Sequence, residues 1–343
     1  MVVAQAKKSG PSRSWWQRLW GLSNEFAVRV YHGYGDEDGM LIFGHVMSQS
    51  PEDADYFKRG ILKNAGDLFR LFMVRTVANA PVRLHFEGES IDAEADDTGF
   101  FTFEWKKERK LSAGWHDLTV EVIDGPAAGT VGKGKLYHPH PTKRAFISDI
   151  DDTFLVSHSA NLALRLKTLL TKNPQTRRTF EGVVDHYVAL AKAHTSPEVP
   201  NPFFYVSSSE WNLYGYIKEF CRLHGLPEGV FLLSPIKGLT TFWKSGQGKH
   251  ATKYDRIERI INEYAETSFV LLGDDTQQDP DIYAKLVATF PAQIGAVYLR
   301  HRVREHKGRV DGLVKQMEAA GIPVCYFRHS KEALEHSRRI GLA

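Results

Sequence analysis

The hydrophobic pattern of the chain changes period near residue 143. Before that point, Val28/Val30, Val82/Leu84/Phe86, Phe101/Phe103/Trp105 and Leu118/Val120/Val122 alternate with polar residues. A period of two turns one face of each strand to a core and the other to water. Gly33-Tyr34-Gly35-Asp36, Asp96-Asp97-Thr98-Gly99 and Ser112-Ala113-Gly114 supply turns between the runs. The pattern predicts a small antiparallel β-sandwich over 25–137, broken only at 51–75. His32, His45, His85 and His116 are scattered singly through it, as surface or internally satisfied residues rather than a ligand set.

Beyond residue 143, unbroken apolar runs at 145–148, 203–206, 230–233, 269–272, 294–299 and 324–327 take over. Helical patterns intervene at about 179–194, 212–224, 251–265, 281–289, 310–320 and 331–339. Strands apolar on both faces, alternating with helices, predict an α/β domain with a doubly wound parallel sheet. Right-handed crossovers gather the loops after the strands on one edge, where open α/β sheets bind ligands. The expected organisation is a tail over 1–24, the sandwich over 25–137, a Pro/His linker over 138–142 and the α/β domain over 143–343.

Composition narrows the partners. At 343 residues the chain can bury two cores, and a net charge of +3 is too small to imply nucleic acid. No window approaches the roughly 18 apolar residues of a membrane span. Cys221 and Cys325 sit in apolar segments and read as free, buried thiols, which suits a reducing, cytoplasmic setting. Residues 1–23 hold Lys7, Lys8, Arg13 and Arg18, no acid, and Trp15, Trp16 and Trp20. They lack the apolar centre of a secretory signal. On a helix Trp16, Leu19 and Trp20 share a face suited to peripheral contact with a membrane; a lead packed on the next domain is the alternative.

The chemistry concentrates after three strands. Asp149-Ile150-Asp151-Asp152-Thr153 follows the first apolar run, and its Asp-x-Asp spacing lets one carboxylate attack phosphorus while the other trades protons. The alternative is a helix cap with first-turn acids. Ser207-Ser208-Ser209 follows the second run and offers a hydroxyl and amides to phosphate oxygens, with Ser207 first in line; a serine N-cap is the alternative. Gly273-Asp274-Asp275-Thr276-Gln277-Gln278-Asp279 follows the fourth, and opposed carboxylates suit Mg²⁺. Asp274 is the leading ligand. Asp279 precedes Pro280 and reads most simply as a helix N-cap. Lys253, with Lys249 as alternate, can supply a cation at the start of a helix.

In this order the four elements resemble the motifs of the haloacid-dehalogenase-like phosphatase superfamily. Within it, Phe146–Thr153, Tyr205–Trp211 and Leu272–Tyr283 are similar to the catalytic domain of the fungal actin-patch phosphatidate phosphatase family and its bacterial relatives. The resemblance covers about 137–330, and the preceding sandwich is similar to the accessory domain of the bacterial relatives. It implies a Mg²⁺-dependent phosphomonoesterase working through an aspartyl-phosphate, with phosphatidate as the leading substrate. Asp149 would be nucleophile, Asp151 acid and base; Thr153, Ser207 and Lys253 would hold phosphate. Asp149, the Asp151 carbonyl and Asp274, with Asp279, would hold the metal. A cap over about 154–202, with Arg165, Lys167, Lys172, Arg177 and Arg178, would face the headgroup. Four positions depart: the family more usually has Asn and Pro where this chain has Ser208 and Glu210, and Ser-Gly where it has Asp275-Thr276. Glu210 and Asp275 are expected to add negative charge beside an anionic substrate, which keeps a soluble sugar or nucleotide phosphate open as substrate. A non-catalytic phospholipid-binding module is the rival from another class.

Overall fold

A computed structural model describes residues 22–23, 25–36, 39–51, 74–106, 111–150, 180–196, 198–235 and 248–343. The chain divides into two compact units, Met1–His138 and Pro139–Ala343.

The first unit is all β among the described residues. Its strands are β1 (Leu22–Ser23), β2 (Ala27–Val30), β3 (Gly33–Gly35), β4 (Met40–Pro51), β5 (Arg75–Thr76), β6 (Pro81–Phe86), β7 (Glu89–Glu94), β8 (Phe100–Trp105), β9 (Gly114–Val122) and β10 (Val131–His138). They join in one sheet of order β1-β4-β3-β10-β9-β6-β7, with β2, β5 and β8 also on β4. The alternation seen in sequence is the burial pattern: Val82, Leu84 and Phe86 face Val120 and Val122 in one core with Ile42, Val46, Phe101 and Phe103. The pairings are antiparallel except β3 with β10, which is parallel, so the sheet is mixed rather than purely antiparallel. The turn at 96–99 forms as its composition requires, with Asp96 Oδ1 accepting from the Thr98 and Phe100 amides at 2.8 and 2.9 Å. Of the scattered histidines, His45 is buried against Tyr31 Oη at 2.9 Å, whereas His85 and His116 meet Glu121 and Glu87.

The second unit carries a six-stranded, wholly parallel sheet: β11 (Arg144–Ser148), β12 (Phe203–Glu210), β13 (Val230–Ser234), β14 (Ser268–Asp274), β15 (Ile294–Arg300) and β16 (Val324–Phe327). Its order is β13-β12-β11-β14-β15-β16. The helices are α1 (Val183–Lys192), α2 (Tyr214–His224), α3 (Gly248–Glu263), α4 (Asp279–Thr289), α5 (Lys307–Ala319) and α6 (Ser330–Arg339). The central strands read apolar on both faces because both are covered: Phe146, Ile147, Val270, Leu271, Ala296 and Val297 are all fully buried. From β11 the chain winds outward through β12 and β13, then returns to β14 and winds the other way. The crevice between the ends of β11 and β14 is therefore the reversal point, the place where such sheets bind ligands.

Two local differences from the sequence pattern matter. β12 does not stop at Val206 but continues to Glu210, with an irregular register between the two, so Ser207, Ser208 and Ser209 are buried strand residues and not a helix start. Helix α1, inside the 154–202 span expected to cap the site, lies on the sheet instead. Its Tyr187 Oη is 2.8 Å from Ser148 Oγ, and its His186 Nε2 is 2.7 Å from Ser337 Oγ on α6. The basic residues 165–178 of that span lie outside the described residues. Cys221 is buried, Cys325 partly so, and both are free. Among the described residues no helix is long and apolar enough to cross a membrane.

His186 gives the fold an acid limit. Burial, then the charges of Arg300 and His336, push its pKa down to about 3, whereas in the unfolded chain it returns to about 6.5. Between those values the unfolded chain binds a proton that the folded chain refuses. Stability should be complete above about pH 6.5 and fall by on the order of 3 kcal/mol by pH 4 from this group. His186→Gln should flatten the dependence of melting temperature on pH across that range; an unaltered slope would place the acid sensitivity elsewhere.

Candidate active site

Asp149 stands one residue beyond β11, its amide donating to Leu272 O on β14 at 2.8 Å. This bond ties the first carboxylate to the neighbouring strand and turns the chain at the reversal point. Asp274 is the last residue of β14, directly across the crevice. Its Oδ1 accepts from the Thr276 amide and hydroxyl at 2.6 and 2.5 Å, which fixes the carboxylate's orientation. Asp279 is the first residue of α4. The N-cap is Gln278, and no side chain caps the helix, so the expected cap role of Asp279 is not what its carboxylate does. Its Oδ1 lies 2.5 Å from Lys253 Nζ, whose other partner is Asp149 Oδ1 at 2.8 Å. A charged donor in a dry site outcompetes a neutral amide for a carboxylate.

These four side chains are each at most 2% exposed. Carboxylate oxygens of Asp149, Asp274 and Asp279 lie within 4.8 Å of one another. Three buried acids share a single ammonium within this group, and the physical consequences appear in two places. Burial alone would lower the pKa of Lys253, but Asp149 and Asp279 more than reverse that and hold it above the ordinary lysine range. Burial, followed by the charges of Asp149 and Asp279, pushes Asp274 well above the usual carboxylate range, against the Thr276 donors. Asp279 Oδ2, buried, has no hydrogen-bond partner. An all-oxygen set with surplus negative charge and an unsatisfied carboxylate oxygen fits a hard divalent cation.

Gly273 makes the cluster possible by lacking a side chain. A Cβ there would lie 2.6 Å from Asp279 Oδ2 and 2.8 Å from Tyr283 Cε2. Gly273→Ala should therefore push Asp279 or Tyr283 aside, costing about 1–3 kcal/mol and weakening any response to divalent cations. Denaturant unfolding with and without cation measures both; wild-type values for the alanine variant would mean the contact is not tight.

Ser207 sits fully buried within β12, just past the last regular pairing at Val206, and its Oγ accepts from the Ser209 amide at 2.9 Å. Asp151 and Thr153 lie outside the described residues, as does the side chain of Lys249. Asp275 corrects an expectation. Its carboxylate adds no exposed charge beside the crevice, because it is fully buried toward β15 and β16. Oδ1 accepts from the Arg302 and Val303 amides at 2.7 and 3.0 Å, while Oδ2 lies 2.7 Å from His301 Nδ1 and 2.6 Å from Tyr326 Oη. Glu210 is likewise buried, opposite Ser234 at the end of β13.

Asp149, Lys253, Asp274 and Asp279 all fall in one matched stretch. Residues 144–301 match the family model of the phosphatidate phosphatase APP1 catalytic domain. The APP1 phosphatidate phosphatase of Saccharomyces cerevisiae is 28% identical over 159 residues, 45% of this chain and 25% of that protein. An uncharacterized protein of Schizosaccharomyces pombe is 25% identical over 158 residues, 46% of this chain and 25% of that protein. The chain thus spans about a quarter of the length of these relatives. The APP1-like stretch includes β11 through β15 and contains every described member of the carboxylate–lysine cluster.

Sequence reasoning missed Tyr283, whose hydroxyl donates to Leu272 O at 2.9 Å beneath the cluster, and Tyr187, which braces Ser148 from below. Tyr283 had a signal, an aromatic residue one helical turn past Asp279, but that pattern also describes an ordinary core helix; Tyr187 meets Ser148 from 39 residues away and had none.

Proposed function

We propose that the second unit is a divalent-cation-dependent phosphomonoesterase of the haloacid-dehalogenase-like type, and that phosphatidate is its substrate. One observation carries the reading: three buried carboxylates and a lysine converge at the reversal point of a parallel sheet, inside the stretch that resembles a phosphatidate phosphatase catalytic domain. The strand order and the separate packing of α1 with α6 and of α3 with α4 support a doubly wound sheet. The single core shared by β2, β4, β6, β8, β9 and β10 supports a sandwich-like accessory domain over 25–137. The remaining proposed divisions are the tail over 1–24, the linker over 138–142 and the α/β domain from 143.

In this reading Asp149 attacks phosphorus and forms an aspartyl-phosphate. Lys253 keeps the attacking carboxylate ionised and oriented by its 2.8 Å bond. Asp151 protonates the departing alkoxide and then takes a proton from the attacking water. Thr153 and Ser207 hold phosphoryl oxygens. Asp149, Asp274 and Asp279, with the Asp151 carbonyl, would hold Mg²⁺, which when bound supplies charge neutralisation for the phosphate. Three carboxylates buried together are unfavourable without a cation, which supports a metal site; turnover is what separates this reading from a non-catalytic phospholipid-binding module.

A phosphate-release screen over phosphatidate and soluble sugar and nucleotide phosphates, with and without Mg²⁺, tests the reading. Release from phosphatidate alone supports it, preference for a soluble ester moves the substrate, and release from none rejects it. Of residues 1–23, all but Leu22 and Ser23 lie outside the described residues, and their basic, Trp-rich composition motivates a second arm. Deleting them should leave a soluble short-chain phosphatidate hydrolysed as before, lower activity on anionic liposomes and lower co-sedimentation with them, the loss shrinking in high salt. Equal sedimentation and equal rates would show that the tail is no anchor.

A further inference from the structure

Charge balance at the site leaves a demand that the residues already assigned do not meet. With Asp149, Asp274 and Asp279 ionised and Lys253 charged, a dication restores neutrality. A phosphomonoester dianion arriving over Asp149 then brings two further negative charges into a buried crevice. Asp274 and the cation donors lie on the β14 side. The other side, formed by the ends of β12 and β13, holds polar atoms that the proposed chemistry has not used.

Arg256 lies on α3 three residues after Lys253, on the same helix face. Its Nη1 donates to Leu232 O on β13 at 3.2 Å. Burial lowers its pKa to about 10, and the charge of Asp149 on β11 opposes that fall. Leu232 pairs in register with Val206 of β12, the strand between β13 and β11, so Arg256 is held level with Val206, two residues before Ser208. At those strand ends two serines, 6% and 2% exposed, carry hydroxyls that are buried without hydrogen-bond partners: Ser208 Oγ on β12 and Ser234 Oγ on β13. Ser234 pairs in register with Glu210, two residues beyond Ser208. Orphaned buried hydroxyls are uncommon, and a cation bonded to β13 two residues before Ser234 favours an anionic oxygen as the missing partner.

We propose that Arg256, Ser208 and Ser234 form a second oxyanion subsite beside Asp149, opposite Asp274, which takes an oxygen of a tetrahedral phosphoryl group. This rests on the phosphatase reading and adds a specificity-determining cation to it. The subsite binds; no bond is made or broken there.

Tungstate, a tetrahedral oxyanion that is not hydrolysed, is the probe, titrated calorimetrically into the full-length protein with Mg²⁺ present. Arg256→Gln should weaken tungstate at least about tenfold, the scale of one charge-assisted hydrogen bond, and leave the Mg²⁺ midpoint unchanged. The Ser208→Ala/Ser234→Ala double variant, which removes no charge, should weaken it about threefold to fivefold. Arg256→Lys keeps the charge, and its affinity should fall between wild type and Arg256→Gln. Wild-type tungstate affinity in Arg256→Gln overturns the subsite; should that variant not fold, wild-type affinity in both the lysine and the double-serine variants does so. A wild-type protein that binds tungstate but hydrolyses no phosphomonoester rejects the phosphatase reading alone, and the tungstate comparisons still decide the subsite.

Discussion

Asp149→Asn is expected to abolish phosphate release, by on the order of 10⁴-fold or more, in a protein that stays folded. The amide cannot attack phosphorus. Its oxygen can still accept from Lys253, in place of the 2.8 Å ion pair, and its volume matches the crevice. Removing one of three clustered negative charges also relieves repulsion, so the melting temperature should change little. The measurement pairs released phosphate with thermal unfolding of the same preparation. Activity within about tenfold of wild type in a folded variant would take the nucleophile's role from Asp149.

Lys253→Ala should lose activity and also about 3–5 kcal/mol of stability, because it strands two buried carboxylates that shared one ammonium. The informative part is its response to metal. In wild type the ammonium already offsets part of the negative charge. In the alanine variant a dication faces three carboxylates alone, so added Mg²⁺ should raise its melting temperature more than it raises that of wild type. A smaller or absent rise in the variant would mean that Asp149, Asp274 and Asp279 do not jointly hold a cation.

Much of the α/β unit was legible because its signals are local. Unbroken apolar runs gave the six strands, and Asp149 and Asp274 were found by standing immediately after them. Lys253 was legible from the phase of Tyr254, Ile257 and Ile261, whose burial places the helix on the sheet. What escaped depends on contacts distant in sequence. Asp275 reads as one more acid in an acidic loop until His301 and Tyr326 are brought to it. Asp279 reads as a cap until Lys253 reaches it from 26 residues away. In the first unit, alternation gave the strands and their inward faces. It could not give the parallel pairing of β3 with β10, because alternation carries no information about strand direction.

Leu272 O receives both the Asp149 amide and the Tyr283 hydroxyl. One carbonyl, two residues before Asp274, thus joins the ends of β11 and β14 to the first turns of α4. The spacing of Asp149 from Asp274 is therefore set in part by a carbonyl inside β14. Heat should inactivate such a centre by whole-domain melting rather than by early local fraying. If the proposed reading holds, loop changes should alter which substrate is taken more readily than they alter the spacing of Asp149 from Asp274.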